Sequence, residues 1–242
     1  MALDGQIALV TGAGSGIGRA TARALAESGA SVILVGRERG KLEAVAAEIG
    51  SKDLRVEPCD VADREAVADL AKRLDQPSKP LDILVSNAGT NVSKRGLDVL
   101  SPADWDTMIA TNLTGAFNLI HEFLPGMRAR GRGLVVQIAS ISGLRASLLG
   151  GAGYSASKFG QAALGMCLGR EDGPKGIRST VIYPGEVETP ILDRRPVAVP
   201  RERRQVILQP EDVAAAVKFV AELPDRARVP ELVITPTVDD FF

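Results

Sequence analysis

Tyr154 and Lys158 stand four residues apart in the helix-like segment Tyr-Ser-Ala-Ser-Lys. This spacing places both side chains on one face of a helix, one turn apart. A free tyrosine has a pKa near ~10 and exchanges protons poorly at neutral pH, whereas a neighbouring ammonium favours the phenolate and lowers that pKa. The pair therefore indicates acid–base catalysis. Because the same spacing occurs on many surface helices, its weight depends on the motifs that precede it.

A glycine-rich turn near the N-terminus follows a short apolar segment and precedes a helical pattern. Its glycines Gly12, Gly16 and Gly18 have the spacing Gly-x3-Gly-x-Gly. Glycines in this context allow a tight bend, close approach of backbone to a pyrophosphate, and packing of the helix on the strand. The helix N-terminus adds free N–H groups and a positive dipole end. The pattern predicts a dinucleotide-binding turn, and the alternative is a turn with a structural role only.

The segments that would position these residues alternate between apolar strands and amphipathic helices. Such alternation predicts an α/β fold, a Rossmann-like doubly wound parallel sheet of about seven strands with helices on both faces. Its ligand would lie beyond the carboxyl ends of the strands, where the motifs converge. The predicted strands span about 6–11, 31–36, 53–58, 81–86, 134–139, 177–183 and 231–235. The predicted helices span about 17–28, 38–49, 63–75, 101–128, 153–170 and 211–222.

Together the motifs resemble the short-chain dehydrogenase/reductase family from about residue 3 to residue 213. Thr11-Gly-x3-Gly-x-Gly is similar to the family's cofactor turn, and Ser86-Asn-Ala-Gly resembles its Asn-Asn-Ala-Gly motif with Ser86 replacing the first Asn. The resemblance implies a catalytic tetrad of Asn112, Ser140, Tyr154 and Lys158. The predicted cofactor-binding residues are Gly12, Ser15, Gly16, Ile17, Gly18, Arg37, Asp60, Val61, Asn87, Ala88, Gly89, Tyr154, Lys158, Pro184, Gly185, Val187 and Thr189.

The resemblance implies hydride transfer between a nicotinamide cofactor and a small-molecule carbonyl or secondary alcohol. In reduction, Tyr154 would protonate the carbonyl oxygen and Ser140 would hydrogen-bond that oxygen as charge develops. Lys158 would lower the pKa of Tyr154 and hold the nicotinamide ribose. Asn112 would hold a water that connects Lys158 to solvent.

The residues at the end of the second strand indicate which cofactor is bound. An NAD enzyme of this fold has an acidic side chain there, which accepts a hydrogen bond from the ribose 2′-hydroxyl. This chain has Gly36 and then Arg37, which can pair with a 2′-phosphate, and Ser15 can add a hydroxyl. NADP(H) is therefore favoured. The alternative is NAD(H), with Glu38 turned toward the ribose.

Two segments depart from the family pattern. The loop of residues 141–153 is about one residue longer than usual, which can reshape the substrate pocket. The C-terminus lacks the family's common Val-Asp-Gly-Gly ending, so the resemblance does not extend to the family's C-terminal subunit contacts. The family's mobile substrate lid corresponds to residues of about 190–209, which are rich in arginine and proline. These arginines are predicted either to attract an anionic substrate or to form a solvated face: Arg194, Arg195, Arg201, Arg203 and Arg204.

Composition bounds the function further. The 242 residues fit a single NADP(H)-binding domain, 1–242, and a net charge of −1 does not favour nucleic acid or an anionic membrane. The start of the first strand within seven residues leaves no room for a signal peptide, and no apolar segment approaches a membrane span. Cys59 and Cys167 are predicted to be buried, and their separation in the chain is not that of metal ligands. Two unpaired cysteines are typical of a reducing compartment, so a cytoplasmic protein is predicted. No metal site is predicted.

Three functions remain open. The first is an NADP(H)-dependent carbonyl or 3-oxoacyl reductase, with an NAD-dependent alcohol dehydrogenase as its variant. The second is a cofactor-binding regulator without turnover, which the intact tetrad disfavours. The third is isomerisation or elimination on the same fold. The family also implies a homodimer or homotetramer, because small residues in the predicted helix 153–170 allow a second helix to approach closely.

Overall fold

The computed structural model of the chain describes residues 1–74 and 80–239. Seven strands form one sheet in the order β3-β2-β1-β4-β5-β6-β7, and each neighbouring pair is parallel. The doubly wound sheet is thereby confirmed, with its switch point between β1 and β4. The strands are β1 Ile7–Thr11, β2 Ser31–Gly36, β3 Leu54–Pro58, β4 Ile83–Ser86, β5 Gly133–Ile138, β6 Ile177–Pro184 and β7 Glu231–Ile234.

Helices cover both faces of this sheet because its central strands carry apolar side chains on both sides. In β1, Val10 packs in one core cluster with helices α1, α2 and α8, whereas Leu9 packs in the other with helices α3, α5 and α6. The helices are α1 Gly16–Glu27, α2 Arg39–Ile49, α3 Arg64–Leu74, α4 Pro102–Met108, α5 Gly115–Arg130, α6 Ala152–Glu171, α7 Arg201–Arg204 and α8 Pro210–Glu222. The predicted end of α3 at residue 75 lies outside the described residues.

The predicted long helix 101–128 is wrong in one respect, because a π-helical segment, Ile109–Thr114, separates α4 from α5. This wider turn holds Asn112, whose buried amide donates to Ser157 Oγ at 2.9 Å and to Thr90 O at 3.0 Å. Such π turns often mark functional sites because they redirect a side chain out of the regular helical pattern. Hydrophobic periodicity does not reveal them.

The prediction that both cysteines are buried is wrong for Cys167, which is exposed on α6, whereas Cys59 is buried. In the part of the chain that the structure describes, no helix combines the length and apolar character needed to cross a membrane. Nor do three His, Cys, Asp or Glu side chains gather there in a group that could hold a metal ion.

A buried carboxylate joins the C-terminal ends of α5 and α6, the second of which carries Tyr154 and Lys158. Asp172, with its side chain 0% exposed, follows α6 and accepts from Arg128 Nε and Nη2 of α5, both at 2.7 Å. Lys175 Nζ also donates to it at 2.9 Å. The hydrogen bonds from Arg128 lower the pKa of this carboxyl below its ordinary value of 3.8. The contact therefore holds α5 and α6 in fixed register.

We expect Asp172→Asn to lower the free energy of unfolding by about 2–3 kcal/mol, because it leaves Arg128 unpaired. This loss is smaller than that expected for a fully buried ion pair, since the Arg128 side chain is 42% exposed. A lowered folded-state pKa means that this stabilisation is present above pH 3.8 and lost only below it. Urea unfolding should thus show a constant gap between wild type and variant from neutral pH down to about pH 5. Asp225→Asn, at a 62% exposed carboxylate, is the matched control.

Candidate active site

One cavity of about 530 Å³ lies along the carboxyl ends of the strands. It brings together most of the residues predicted from the sequence, whereas Gly18 and Asn112 lie behind its wall. The predicted residues that line it are Gly12, Ser15, Gly16, Ile17, Arg37, Asp60, Val61, Asn87, Ala88, Gly89, Ser140, Tyr154, Lys158, Pro184, Gly185, Val187 and Thr189.

The glycine turn between β1 and α1 has the form of a phosphate cradle. Gly12 has a φ of +65°, and a Cβ there would lie 2.8 Å from Asn87 Nδ2. A Cβ on Gly18 would lie 2.2 Å from Gly12 O, so this third glycine packs helix against turn rather than lining the cavity. The first turn of α1 holds no acidic residue, and the Ser15 side chain does not cap it. Its N–H groups and positive dipole end therefore fit a pyrophosphate.

Thr11 joins the two strands that flank the switch point. Its Oγ1 accepts from the backbone N–H groups of Asn87 and Ala88 at 2.9 and 3.0 Å, while Asn87 Nδ2 donates to Thr11 O at 2.8 Å. The amide of Asn87 is therefore used to hold β4 against β1. Thr11 was not among the predicted site residues, although it opens the glycine motif.

The end of β2 places Gly36, Arg37, Glu38 and Lys41 on the cavity wall. Glu38 Oε1 accepts from Lys41 Nζ at 2.7 Å, so its charge is engaged by a cation of the same helix turn. Lys41 was not among the predicted site residues. The indication in the sequence was its position, four residues after Arg37. The wall thus presents two cations against one acid, which fits a 2′-phosphate.

Tyr154 lies in the first turn of α6 and hydrogen-bonds the Ser140 side chain. Ser140 Oγ also accepts from Ser142 N at 3.1 Å, which fixes the serine after β5. Burial raises the pKa of Tyr154, whereas the Ser140 hydrogen bond and the charge of Arg95 lower it. In the protein alone the net shift is upward, opposite to the lowering that we expected from Lys158.

Lys158 is itself buried, with 3% of its surface exposed. Its Nζ donates to Ile138 O at 2.8 Å and to Gln161 Oε1 at 2.7 Å, and lies 5.8 Å from the Tyr154 ring centroid. Burial disfavours the ammonium and lowers the pKa of Lys158 to about 7. At neutral pH the group is therefore partly uncharged and acts weakly on the phenol.

Two buried glutamines support Lys158 and were missed in the sequence analysis. Gln161 Nε2 donates to Gln137 Oε1 at 3.0 Å and to Ser86 O at 3.3 Å, which points its Oε1 toward the lysine. Both glutamines are fully buried. The sequence offered one indication, Gln137, because it is a polar residue inside the otherwise apolar strand β5, Gly133–Ile138.

Asn112 does not face the cavity, and its amide is already engaged. Its Oδ1 accepts from Thr90 N at 2.7 Å, and its Nδ2 donates to Thr90 O and Ser157 Oγ. A Cβ at Gly89 would lie 3.5 Å from both Asn112 Oδ1 and Lys158 Nζ, which places the asparagine directly beside the lysine pocket. Its side chain thus fixes the loop next to Lys158, and the role of Asn112 in holding a water stays a prediction.

The lid forms a short 3-10 helix, Pro190–Arg194, followed by α7, around a small core of Leu192, Val199 and Ile207. Most of its arginines pair with carboxylates of the same region, and two of these, Arg195 and Arg203, also line the cavity. These ion pairs join Arg195 to Glu186 at 2.5 Å, Arg203 to Glu186 at 2.7 Å, and Arg204 to Glu188 and Asp193, both at 2.7 Å. Their charges are therefore already engaged, which disfavours anion recruitment by these three residues, and the role of the lid in substrate binding stays a prediction.

Comparison with known proteins agrees with this geometry. The sequence profile of the short chain dehydrogenase family matches residues 6–197. An uncharacterised oxidoreductase of Staphylococcus aureus (strain MW2) is 36% identical over 234 residues, which cover 97% of this chain and 98% of that protein.

Solved structures resemble the whole chain. The closed form of a serine dehydrogenase complexed with NADP+ has a TM-score of 0.90 and 30% identity, with 97% of this chain and 96% of that chain covered. A 3-ketoacyl-(acyl-carrier-protein) reductase from Brucella melitensis complexed with NADH has a TM-score of 0.87 and 27% identity, with 96% and 98% covered. The protein described here is an oxidoreductase that belongs to the short-chain dehydrogenase family.

Proposed function

We propose that this chain is an NADP(H)-dependent enzyme that transfers hydride between the nicotinamide and a small carbonyl compound or secondary alcohol. The observation that carries the proposal is the single cavity whose wall holds Tyr154, Ser140 and Lys158 together with the glycine turn. Acid–base groups and a dinucleotide cradle in one cavity support redox chemistry on a carbonyl. A binding protein without turnover would not need the tyrosine–serine pair.

The bound cofactor supplies the hydride, and the side chains manage the proton. Tyr154 donates its phenolic proton to the carbonyl oxygen, which Ser140 also holds by a hydrogen bond as negative charge develops. The raised pKa of Tyr154 keeps this group protonated, as a donor must be. Lys158, with a pKa of about 7, can pass a proton back to the tyrosine at neutral pH. Its position also suits a contact with the nicotinamide ribose.

NADP(H) is supported over NAD(H) by the charges around the adenosine end of the cavity. Arg37 and Lys41 stand where a 2′-phosphate would lie, and Lys41 already engages Glu38. No carboxylate stands at Gly36 to accept from a ribose hydroxyl. The serine dehydrogenase noted above holds NADP+ and the ketoacyl reductase NADH, so the choice rests on these side chains.

The first test concerns the proton donor. Tyr154→Phe keeps the ring but removes the proton, so kcat should fall by about 10²–10⁴-fold, while the NADPH dissociation constant changes little. Turnover is followed as NADPH oxidation against a panel of ketones, quinones and acyl thioesters, and binding as NADPH fluorescence. Near-normal turnover by the variant on a substrate of the wild type would contradict the mechanism.

The second test concerns the cofactor. A charge-assisted contact to the 2′-phosphate is worth about 1.5–3 kcal/mol, so kcat/KM should favour NADPH over NADH by roughly 10- to 150-fold. Gly36→Asp should reverse this preference, because the carboxylate accepts from a 2′-hydroxyl and repels a phosphate. A Cβ at Gly36 meets only the flexible end of Leu42, at 3.3 Å, so the variant should fold. If the wild type prefers NADH, the interpretation of Arg37 is wrong and Glu38 is the residue that binds the adenosine ribose.

We also propose that the enzyme assembles through the outer faces of α5 and α6. Phe117 is 43% exposed on α5 and borders a groove that Gly160, Ala163 and the exposed Cys167 of α6 also line. Small residues on α6 allow a second helix to approach closely, and a self-complementary apolar face fits a two-fold dimer.

The two free cysteines favour a reducing compartment such as the cytoplasm.

The third test is therefore the molar mass in solution. Light scattering should report a multiple of the 25.4 kDa chain at micromolar concentration. Phe117→Glu should shift the protein toward monomer, because it places a charge in the apolar face. Phe219→Glu, at a 51% exposed phenylalanine on α8, is the matched control and should leave the mass unchanged. A monomeric wild type would refute the assembly.

A further inference from the structure

Arg95 is a buried cation on the cavity wall that the proposed reaction does not yet use. It is 7% exposed, and its guanidinium donates to three backbone carbonyls: Val92 O at 2.9 Å, Leu149 O at 2.7 Å and Arg194 O at 2.8 Å. Among the described residues, no carboxylate lies within ion-pair distance of it. Buried charges in proteins are normally paired with an opposite charge. Arg95 therefore lacks the counter-charge that its burial calls for.

The guanidinium has five N–H groups, and the three carbonyls use only three of them. One N–H on Nη1 and one on Nη2 remain without an acceptor within residues 1–74 and 80–239. Carbonyl groups bring partial charges, so they orient the guanidinium without neutralising it. A carboxylate in the cavity would supply both the acceptors and the charge.

Arg194 adds a second cation of the same kind. Its Nη1 donates to Thr90 Oγ1 at 2.5 Å and to Asn91 O at 3.3 Å, while its own carbonyl accepts from Arg95. It too lies on the cavity wall, and within the described ranges no acidic side chain pairs with it. The two arginines thus join the loop after β4 to the lid and leave two positive charges beside the cavity.

The acidic residues of this region are already engaged elsewhere. Glu186 lines the cavity, but it forms ion pairs with both Arg195 and Arg203. Its charge is therefore not available to Arg95, and the nearby Arg195 adds to the positive field. Arg95 and Arg194 therefore leave excess positive charge at the end of the cavity near Tyr154.

Arg95 also stands next to the reacting end of the cavity. Its stem packs against the start of α6, where a Cβ on Gly151 would lie 2.7 Å from Arg95 Cβ. Tyr154 follows Gly151 by three residues, within the first turn of the helix. The charge of Arg95 is close enough to lower the pKa of the Tyr154 phenol. An anion bound by Arg95 would therefore be only a few atoms from the carbonyl.

We propose that Arg95, assisted by Arg194, binds a carboxylate of the substrate, so that the enzyme acts on short oxo acids and the corresponding hydroxy acids. This inference rests on the proposed function and specifies its substrate class. The carboxylate lies at the unused N–H groups of Arg95, and the carbonyl oxygen lies at Tyr154 and Ser140. Arg95 is then a residue that determines specificity by charge.

The test compares acetoacetate with methyl acetoacetate, which share a reducible carbonyl and differ in charge. We expect the wild type to prefer the acid, and Arg95→Gln to lower kcat/KM for the acid by about 10- to 150-fold but for the ester by less than about threefold. Arg194→Gln should reduce the preference for the acid by a smaller factor, because this side chain is exposed. Arg201→Gln, at an exposed lid arginine, is the control and should leave both values unchanged.

Arg95→Lys separates charge recognition from a structural role, since it keeps the charge but loses the planar fork that holds three carbonyls. Partial recovery of the acid-to-ester ratio supports the proposal. Equal losses on acid and ester in Arg95→Gln overturn it and leave Arg95 as a clamp between loops. Dihydroxyacetone phosphate and dihydroxyacetone form a second pair, and an Arg95-dependent preference for this phosphate alone would overturn the carboxylate assignment.

A binding measurement keeps this inference separable from the proposed function. Acetoacetate should raise the Tm of the NADP+-loaded wild type but not of NADP+-loaded Arg95→Gln, whether or not it is turned over. If neutral ketones are reduced and acetoacetate neither binds nor reacts, the carboxylate proposal fails and the proposed function stands. If no carbonyl is reduced, the proposed function fails, and the Tm shift alone decides the role of Arg95.

Discussion

The proposed proton transfer depends on a buried amino group, Lys158 Nζ, which has no carboxylate partner in the described part of the chain. Lys158 is almost inaccessible, and its Nζ donates to a backbone carbonyl and to the amide oxygen of Gln161. These dipoles stabilise a cation less than a carboxylate would, so burial brings the pKa of Lys158 to about 7. A carboxylate partner would have held the proton in place. Its absence leaves a group that can gain and lose a proton near neutral pH.

The arginines around the cavity also differ in whether their partners are carboxylates or neutral oxygens. Glu186, Glu188 and Asp193 pair with arginines of the lid, so the lid is stabilised by its own ion pairs. Arg95 and Arg194, which also line the cavity, are held by carbonyl and hydroxyl oxygens instead. Positive charge therefore remains near Tyr154, where the substrate is proposed to bind, and beside Arg37, where the adenosine is proposed to bind. Neutral partners for buried cations leave their charge available to a ligand.

The strand order brings these groups together. Parallel strands end at one edge of the sheet, and the reversal between β1 and β4 opens a cleft there, which Thr11 holds by its bonds to Asn87 and Ala88. Sequence alone predicted this arrangement because buried parallel strands are apolar throughout and the intervening helices are amphipathic. The predicted strands agree with the structure to within two residues at each end. The motifs follow strand ends, so their convergence was also predictable.

What the sequence determined by itself was the α/β alternation, the glycine turn and the residues that line one cavity, since these depend on local pattern and on strand order. Tertiary structure decided what each side chain contacts. The π turn at Ile109–Thr114 and the Gln137–Gln161 pair depend on partners that are distant in the chain. The lid arginines are equally ambiguous in sequence, because an arginine that pairs with Glu186 and one that faces a ligand have the same local pattern. Charge balance is a property of neighbours in space, and only the folded chain brings those neighbours together.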